Sequence, residues 1–579
     1  MEIKSCQNCK KDFEIMTDDF AFYEKIKVPH PTFCPDCRLQ RRLIQYNERS
    51  LYKAECALCK QSMISMYSPE AKRVVYCSAC YFGEKWDPMA FGRDYDFSRS
   101  FFEQFEELQK EVPSSHLITN NNNINSDYTN YSFRTTNSYL SFSFSASDHI
   151  FYSRQGRRHS EYCFDCYGFY KNRYGYELVQ SSGSITSAYL TDCRECIDSF
   201  FLFDCVNCSN CFMSSNLRNA SYVFRGQKLS KESYAQKIKE VIDGSFSQWN
   251  LCVDEYRHLL ESSIHRFAFQ VQITNVSGNN LENCQNLAVS FDCKNVLNSK
   301  YLQDIVSKAS SFECRDLTSG SHHELSVETM ISGPGNKSFF SVFADHIQEC
   351  AYLYQCRPME YSFGCMGIRN KKYCILNKQY TEEEYKKLLP KIIEHMKAMP
   401  FVGPNGRVYS YGEFFPECFS PFAYNETIAF EEFPLTKEEV LRQGYRWKDP
   451  EPKNHEVTIK AENLPDNIHN SSDSVLKEVI ACPNNGDPKT QCTNAYRIQK
   501  EELEFYRRMN IPLPRHCPNC RYFERKYRKN PWKLWHRQCM CEEGNHGHQN
   551  KCLNEFETAY SPEKKERVYC ESCYQKSVL

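Results

Sequence analysis

The sequence predicts a mostly β, multidomain chain. Duplicated cysteine modules at both ends flank a duplicated β-repeat body of β-solenoid or parallel β-helix type, with a few helices. Three observations predict it. C-x2-C pairs recur at both ends at one offset, 483, the distance from Cys34 to Cys517. The middle repeats at an offset of 151, the distance from Cys163 to Cys314. Between these landmarks run short aromatic or cysteine-bearing segments separated by Asn, Ser and Gly turns. The middle shows no clean rung period, so a pair of β-sandwich-like repeats stays open beside the solenoid.

Composition narrows the class. At 579 residues the chain has room for several domains, and 14% aromatic content supports real cores. A formal net charge of −1 argues against coating nucleic acid along the whole length. No apolar h-region follows Met1 and no run of about 18 apolar residues occurs. A cytoplasmic protein without a membrane span is expected. Its 33 cysteines, many in C-x2-C pairs, then point to thiolates holding metal rather than to disulfides.

Residues 1–90 carry two quartets, Cys6, Cys9, Cys34, Cys37 and Cys56, Cys59, Cys77, Cys80. Two residues between thiolates let both sulfurs of a tight turn face one ion, and two such turns complete a tetrahedron. Four thiolates leave no open position for water, so a structural Zn2+ is expected. Thioredoxin-like redox chemistry needs one reactive pair, not matched pairs of pairs. Phe13, Ile15, Phe20 and Phe22 suit a short hairpin, and Leu39, Leu43 and Ile44 a helix. Knuckle, hairpin and helix describe a treble-clef-like finger; the second quartet, led by Val74–Tyr76, suits a zinc ribbon. Arg38, Arg41 and Arg42 could grip phosphate. With 14 basic and 12 acidic residues in this module, they more simply offset the negative charge of a four-thiolate centre.

Residues 91–118 form a connector containing an amphipathic helix, from Phe101-Phe102, Phe105 and Leu108, stopped by Pro113. A polar, aromatic region starts at Asn120–Asn123, and Tyr139–Ser145 alternates as a strand. The repeat halves are 119–262 and 263–400. Asp165 falls on Asp316, Arg218-Asn219 on Arg369-Asn370 and Tyr222 on Tyr373. Each half closes with a helix capped by Ser230 or Thr381. Cys163, Cys166, Cys193, Cys196, Cys205, Cys208 and Cys211 resemble a further metal set. Cys196, Cys208 and Cys211 fall on Ile347, Met359 and Ser362, so buried side chains are expected instead. His322-His323 are expected at the surface. Gly403-Pro-Asn-Gly406 predicts a hairpin within 401–446, a segment expected to hold a hairpin and a helix, and residues 447–478 have linker composition.

Residues 479–579 repeat the first module: Cys482, Cys492, Cys517, Cys520, then Cys539, Cys552, Cys570, Cys573. Ten inserted residues precede Cys552, beyond which the offset becomes 493. The insertion adds Cys541, His546 and His548, any of which could replace Cys552. About four structural Zn2+ ions per chain are expected from the four quartets. Arg521, Arg525, Lys526, Arg528, Lys529, Lys533 and Arg537 face one acid, Glu524, across 17 residues interleaved with aromatics. Cations for phosphate and rings for stacking are what a single-stranded nucleic-acid site uses. The alternative is a basic helix whose aromatics are buried.

Phe33-Cys-Pro-Asp-Cys-Arg38, Tyr76-Cys-Ser-Ala-Cys80, Trp86-Asp-Pro88, Asp94–Ser98, Phe101–Phe105, Tyr411–Phe415, Ser420–Glu426, Phe505-Tyr506, Leu534-Trp-His536 and Val568-Tyr-Cys570 occur in this order. Together they resemble an uncharacterised zinc-ribbon and treble-clef family of small-genome, candidate-phylum bacteria. The resemblance spans most of the chain and implies an intracellular, zinc-bound protein without an established activity. Some such proteins carry a CaiB/BaiF-type CoA-transferase label. No nucleotide-binding glycine loop supports that label here. Three functions follow as expectations. The first is a zinc-stabilised adaptor, its end modules on RNA, DNA or a ribonucleoprotein and its body on a protein partner. The second is a protein-interaction scaffold without nucleic acid. The third is an enzyme in the β-repeat body.

Overall fold

The computed structural model describes residues 1–119, 122–449 and 456–578. It is mostly β, with a large parallel sheet system and twelve α-helices among the described residues. The terminal modules match element by element. Helix Thr17–Ile26 returns 483 residues later as Lys500–Met509, each ending on a left-handed residue, Lys27 or Asn510. Strands Tyr52–Glu55 and Ser62–Ser65 return as Trp535–Gln538 and Glu555–Thr558, paired antiparallel in both copies. One expectation fails inside this module. Phe13 and Ile15 lie in strand Asp12–Ile15, but Phe20 and Phe22 belong to the helix. The Asp19 carboxylate accepts from the Met16 backbone N–H at 3.3 Å, which starts a helix where alternation alone implied a strand.

The body is built from parallel pairings, which a sandwich of antiparallel hairpins would not give. Ala188 pairs with Phe200, Phe200 with Phe212 and Phe212 with Phe224, a step of twelve residues each time. From Thr186 to Arg225 every third residue has a positive φ, and none of these residues is glycine. A left-handed residue other than glycine costs about 1 kcal/mol or more. Hydrogen bonds to the preceding pass offset that cost. Asp192, Glu195, Asp204 and Asn207 donate their backbone N–H groups to the carbonyls of Val179, Ser182, Thr191 and Arg194 at 2.8–3.0 Å. Asparagine tolerates this conformation best, and its side chains form ladders of their own. Asn207 donates to Asn219 at 2.7 Å, Asn283 to Asn295 at 2.6 Å and Asn286 to Asn298 at 2.9 Å.

The central cysteines line the interior, as the sequence implied. Cys163, Cys193, Cys205 and Cys211 are buried, and their thiols donate to backbone carbonyls. Cys193 reaches Leu202 O at 3.5 Å just as Ser181 reaches Leu190 O at 3.3 Å. Serine and cysteine thus fill the same inward position.

The two halves keep one register where they end. The first closes with an antiparallel turn-back pairing Val223 with Lys228, the second with one pairing Cys374 with Gln379. Ser230 then caps helix Lys231–Val241 and Thr381 caps Glu382–Ala398. Strand Val75–Tyr76 of the first module runs parallel to Ser114–Ser115, ahead of the first half. Strand Arg567–Tyr569 of the second runs parallel to Ile264–Arg266, at the start of the second half.

The connector helix forms over Phe101–Glu111 and buries Phe101, Phe102, Phe105 and Leu108 in the largest core. The Gly403–Gly406 hairpin also forms, pairing Phe401 with Tyr409. Three expectations differ from the structure. Tyr139–Ser145 is strand only over Phe142–Ser145. His323 is buried, with Nδ1 3.3 Å from Ser326 Oγ, not a surface residue. Of the 447–478 stretch, 450–455 lie outside the described residues, and from 456 onward it is packed. Ile459 pairs with Ile480, and Leu464, Ile468 and Val475 are buried. Polar composition concealed this, because these few apolar anchors pin the strap. Asn120 likewise lies outside the described residues.

If the inward cysteines are only packing, Cys205→Ser leaves the metal content of the purified chain unchanged. Loss of an ion per chain, read by elemental analysis, would show a metal role instead.

Candidate metal centres

All four predicted quartets assemble. Within each of Cys6–Cys9–Cys34–Cys37, Cys56–Cys59–Cys77–Cys80, Cys482–Cys492–Cys517–Cys520 and Cys539–Cys552–Cys570–Cys573, the sulfurs lie within 4.8 Å of one another. Sulfurs about 2.3 Å from a tetrahedral ion stand roughly 3.8 Å apart. The observed separations agree: Cys9–Cys34 3.7 Å, Cys59–Cys77 3.8 Å, Cys482–Cys520 3.8 Å and Cys552–Cys570 3.9 Å. They are far beyond a disulfide bond length. The donor set therefore fits a metal ion.

One backbone contact recurs in every quartet. The third cysteine donates its N–H to the sulfur of the first: Cys34 to Cys6, Cys77 to Cys56 and Cys517 to Cys482 at 3.3 Å, Cys570 to Cys539 at 3.2 Å. This contact identifies Cys482 as the counterpart of Cys6, although the loop Pro483–Gln491 replaces the two-residue knuckle. Hydrogen bonds from Cys34 and then Cys37 hold the Cys6 thiol well below its ordinary range; Cys482 and then Cys520 act likewise on Cys517.

The third and fourth ligands of the first quartet sit on a helix. Cys34 is the N-cap of Pro35–Leu43, with proline at its first position, and Cys37 lies in the first turn. Cys517 and Cys520 begin Pro518–Arg528 in the same way. These helices carry the arginines singled out from the sequence.

Those arginines face the β body. Arg38 meets Asp316 at 2.9 Å and Arg42 meets its other oxygen at 3.3 Å. Arg41 meets Glu328 at 3.1 Å and Glu413 at 2.9 Å. In the second module Arg521 and Arg525 share Asp165 at 3.1 and 2.8 Å, and Arg525 also meets Glu177 at 2.7 Å. Asp165 and Glu177 stand 151 residues before Asp316 and Glu328. The first module's helix therefore docks on the second half, and the second module's helix on the first half, by one repeated clamp. Arg42, Arg525, Asp165 and Asp316 have no solvent exposure. Burial pushes Glu328 and Glu177 upward, with Arg41 and Arg525 opposing.

This geometry places both basic clusters. Arg38, Arg41 and Arg42 neutralise carboxylates of the body and Glu413, rather than a thiolate centre. In the basic run, Arg521 and Arg525 are buried in the clamp, and Arg528 pairs with Glu177. Lys526 pairs with Glu432 at 2.8 Å, and Lys529 with Asp292 at 2.8 Å. Burial would raise Asp292, but Lys529, Asn280 and Trp532 bring it down to about 2. Arg537 donates to Ser561 O at 3.2 Å. Lys533 is exposed, 5.1 Å from the Trp535 ring. Tyr522 and Phe523 are buried. Most of the run is drawn into internal pairs instead of lining one groove. Sequence reasoning missed the carboxylate partners, although Asp165 and Asp316 were visible as a repeated pair.

The insertion forms a group beside the last quartet: Cys541, His546 and His548 gather with Cys573. Cys552 stays in its quartet, so none of the three takes its place.

Two adjoining cavities of about 370 and 300 Å³ lie beside the second module, the first between it, the first half and helix Phe246–Ser262, the second between it and both halves. Asp192, Phe203, Arg528 and Tyr560 line both. No family model matches the chain, and neither a curated protein nor a solved structure matches it.

Asp165→Asn and Asp316→Asn, made singly, each weaken the pairing of two buried guanidiniums and are expected to lower stability by ~3–5 kcal/mol. Glu382→Gln, breaking the exposed pair with Lys386, should leave it nearly unchanged. Denaturant unfolding followed by circular dichroism compares them.

Proposed function

We propose that the protein is an intracellular, zinc-stabilised scaffold. Its two end modules use structural Zn2+ to hold a β-solenoid body that presents a face to a protein partner, without binding nucleic acid. The observation that carries this reading is the repeated arginine–carboxylate clamp. It consumes the cations a nucleic-acid site would need and couples a thiolate quartet of each module mechanically to the body. Zinc suits four thiolates, which give it a closed shell without an open position for substrate. The solenoid is supported by the twelve-residue parallel step, the left-handed residue at every third position and the inward Ser/Cys ladder. Among the described residues no helix is long and apolar enough to cross a membrane.

The test has two arms. Chelation, with a thiol-reactive agent to capture the ligands, should release about four or more zinc ions and collapse the near-ultraviolet circular dichroism. Fluorescence anisotropy should show no salt-dependent binding of single-stranded RNA or DNA, and partners captured from lysate should survive nuclease. A chain that keeps its fold without metal, or that binds oligonucleotide with a steep salt dependence, defeats the proposal.

A second reading, an enzyme acting at the body, is favoured by one feature. The larger cavity is lined by Glu177, Asp192, Glu261, Glu524 and Glu566. Burial, and then the neighbouring Asp204, push the Asp192 carboxyl up to about 7. Its charged form is penalised in the fold, so its cost to stability is absent below about pH 4, where both states are protonated, and grows as pH rises toward 7. Asp192→Asn should therefore raise the melting temperature at pH 8 and leave it nearly unchanged at pH 4. Equal shifts at both values would place the effect in packing instead of charge.

A further inference from the structure

The last quartet does not stand alone. Cys541 is fully buried, yet it belongs to an insertion that the first module lacks; there Cys56 and Cys59 are separated only by Ala57-Leu58. In the second module this insertion folds back over Cys573. The Cys541 sulfur stands 3.2 Å from His546 Nδ1, and His548 Nε2 stands 3.4 Å from the Cys573 sulfur. All four donor atoms lie within 4.8 Å of one another. His548 Nδ1 is 2.7 Å from the Asn550 carbonyl and donates to it, which leaves Nε2 bare toward Cys573. A ring nitrogen fixed by a backbone carbonyl while the other faces inward is how a metal-ligating histidine is oriented. Gly547, at φ +92°, makes the reversal between the two histidines, and the Lys576 ammonium donates to the His546 carbonyl at 2.8 Å.

Cys573 therefore belongs to two four-donor sets at once. The first is Cys539, Cys552, Cys570 and Cys573; the second is Cys541, His546, His548 and Cys573. We propose that the C-terminal ribbon is a dinuclear zinc centre, with the Cys573 thiolate bridging an ion held by four thiolates and a second ion held by Cys541, His546 and His548. Two thiolate lone pairs serve two ions, and each ion completes a tetrahedron of sulfur or of sulfur and nitrogen donors. The charge balance favours it. One divalent ion with four thiolates carries −2. Adding a second divalent ion together with one more thiolate and two neutral imidazoles brings the pair to −1, and gives the buried Cys541 a partner for its charge. The counterpart Cys80, half-buried and without such neighbours among the described residues, sits in a mononuclear site.

This inference rests on the zinc reading of the quartets, and the experiment separates the two. The full-length chain, purified natively, is expected to hold about five zinc ions, and Cys541→Ser with His548→Asn about four. A wild-type content of about four, unchanged in the variant, overturns the second ion and leaves the quartets intact; a content near zero overturns both readings. Replacement by Co2+ tests the bridge. Two cobalt ions sharing one thiolate couple magnetically, so wild type should show the paramagnetic resonance intensity of about three ions while binding about five. The double variant should show full intensity from all of its bound cobalt. Full intensity in wild type, with about five ions bound, overturns the shared Cys573 thiolate.

Discussion

Arg38 and Arg42 close on the Asp316 carboxylate in the way Arg521 and Arg525 close on Asp165, and all of these groups are out of water. Buried guanidiniums tolerate little misplacement. A carboxylate withdrawn from one of them would leave a bare charge in a low-dielectric interior, at a cost of about several kcal/mol. Something must therefore fix the direction of each arginine-bearing helix before it meets the body. The thiolate quartet does this. Its third and fourth sulfurs belong to the N-cap and first-turn residues of that helix, so the same turn that brings the four sulfurs together also aims the guanidiniums. The Arg38 guanidinium also donates to Phe33 O at 2.7 Å, and Arg521 to His516 O at 3.3 Å, tying the clamp back to the knuckle.

The way the duplicated parts are joined follows from this contact. Each end module touches both halves of the body. Its ribbon adds a strand at or just before the start of one half, and its helix clamps the other. Exchanging the two modules and the two halves together preserves the added strands and the pairing of two arginines with Asp165 or Asp316, whereas Arg41 has Glu524 as its counterpart and its pairs are not repeated. The arrangement is that of a two-fold dimer written into one chain, in which self-complementary contacts occur twice. It also ties the distant termini to the middle. The modules cannot be independent beads on a linker, and the strap from 456 to 478 is pinned by Ile459, Leu464, Ile468 and Val475.

The body solves a different problem. Its narrow twelve-residue passes need a left-handed residue at each bend, which disfavours nearly every side chain. Backbone bonds between passes, asparagine ladders outside and hydroxyl or thiol ladders inside stabilise the bends collectively. Seven buried cysteines in one interior cluster are thus explained by size and weak donor capacity. The thiols that meet in quartets differ in facing one another and in lying on knuckles and first turns of helices rather than in stacked strands.

How much of this was legible depended on the range over which the determining interaction acts. The quartets, the two duplications, the capped closing helices and the interior role of Cys205 or Cys211 could be read directly, because spacing along the chain and the comparison of repeats carry them. Even the ligand set survived an interrupted knuckle at Cys482. The fate of the arginines could not be read. A run such as Arg521–Lys529 looks identical whether its counter-charges are phosphates or carboxylates contributed from hundreds of residues away, and only the folded chain brings Asp165, Glu177 and Asp292 to it. Sequence alone determined the four cysteine quartets, leaving open whether Cys541, His546 or His548 replaced Cys552. Tertiary structure decided which charges are neutralised internally, because Coulomb partners are chosen by distance in space and by exclusion of water, neither of which is written in local pattern.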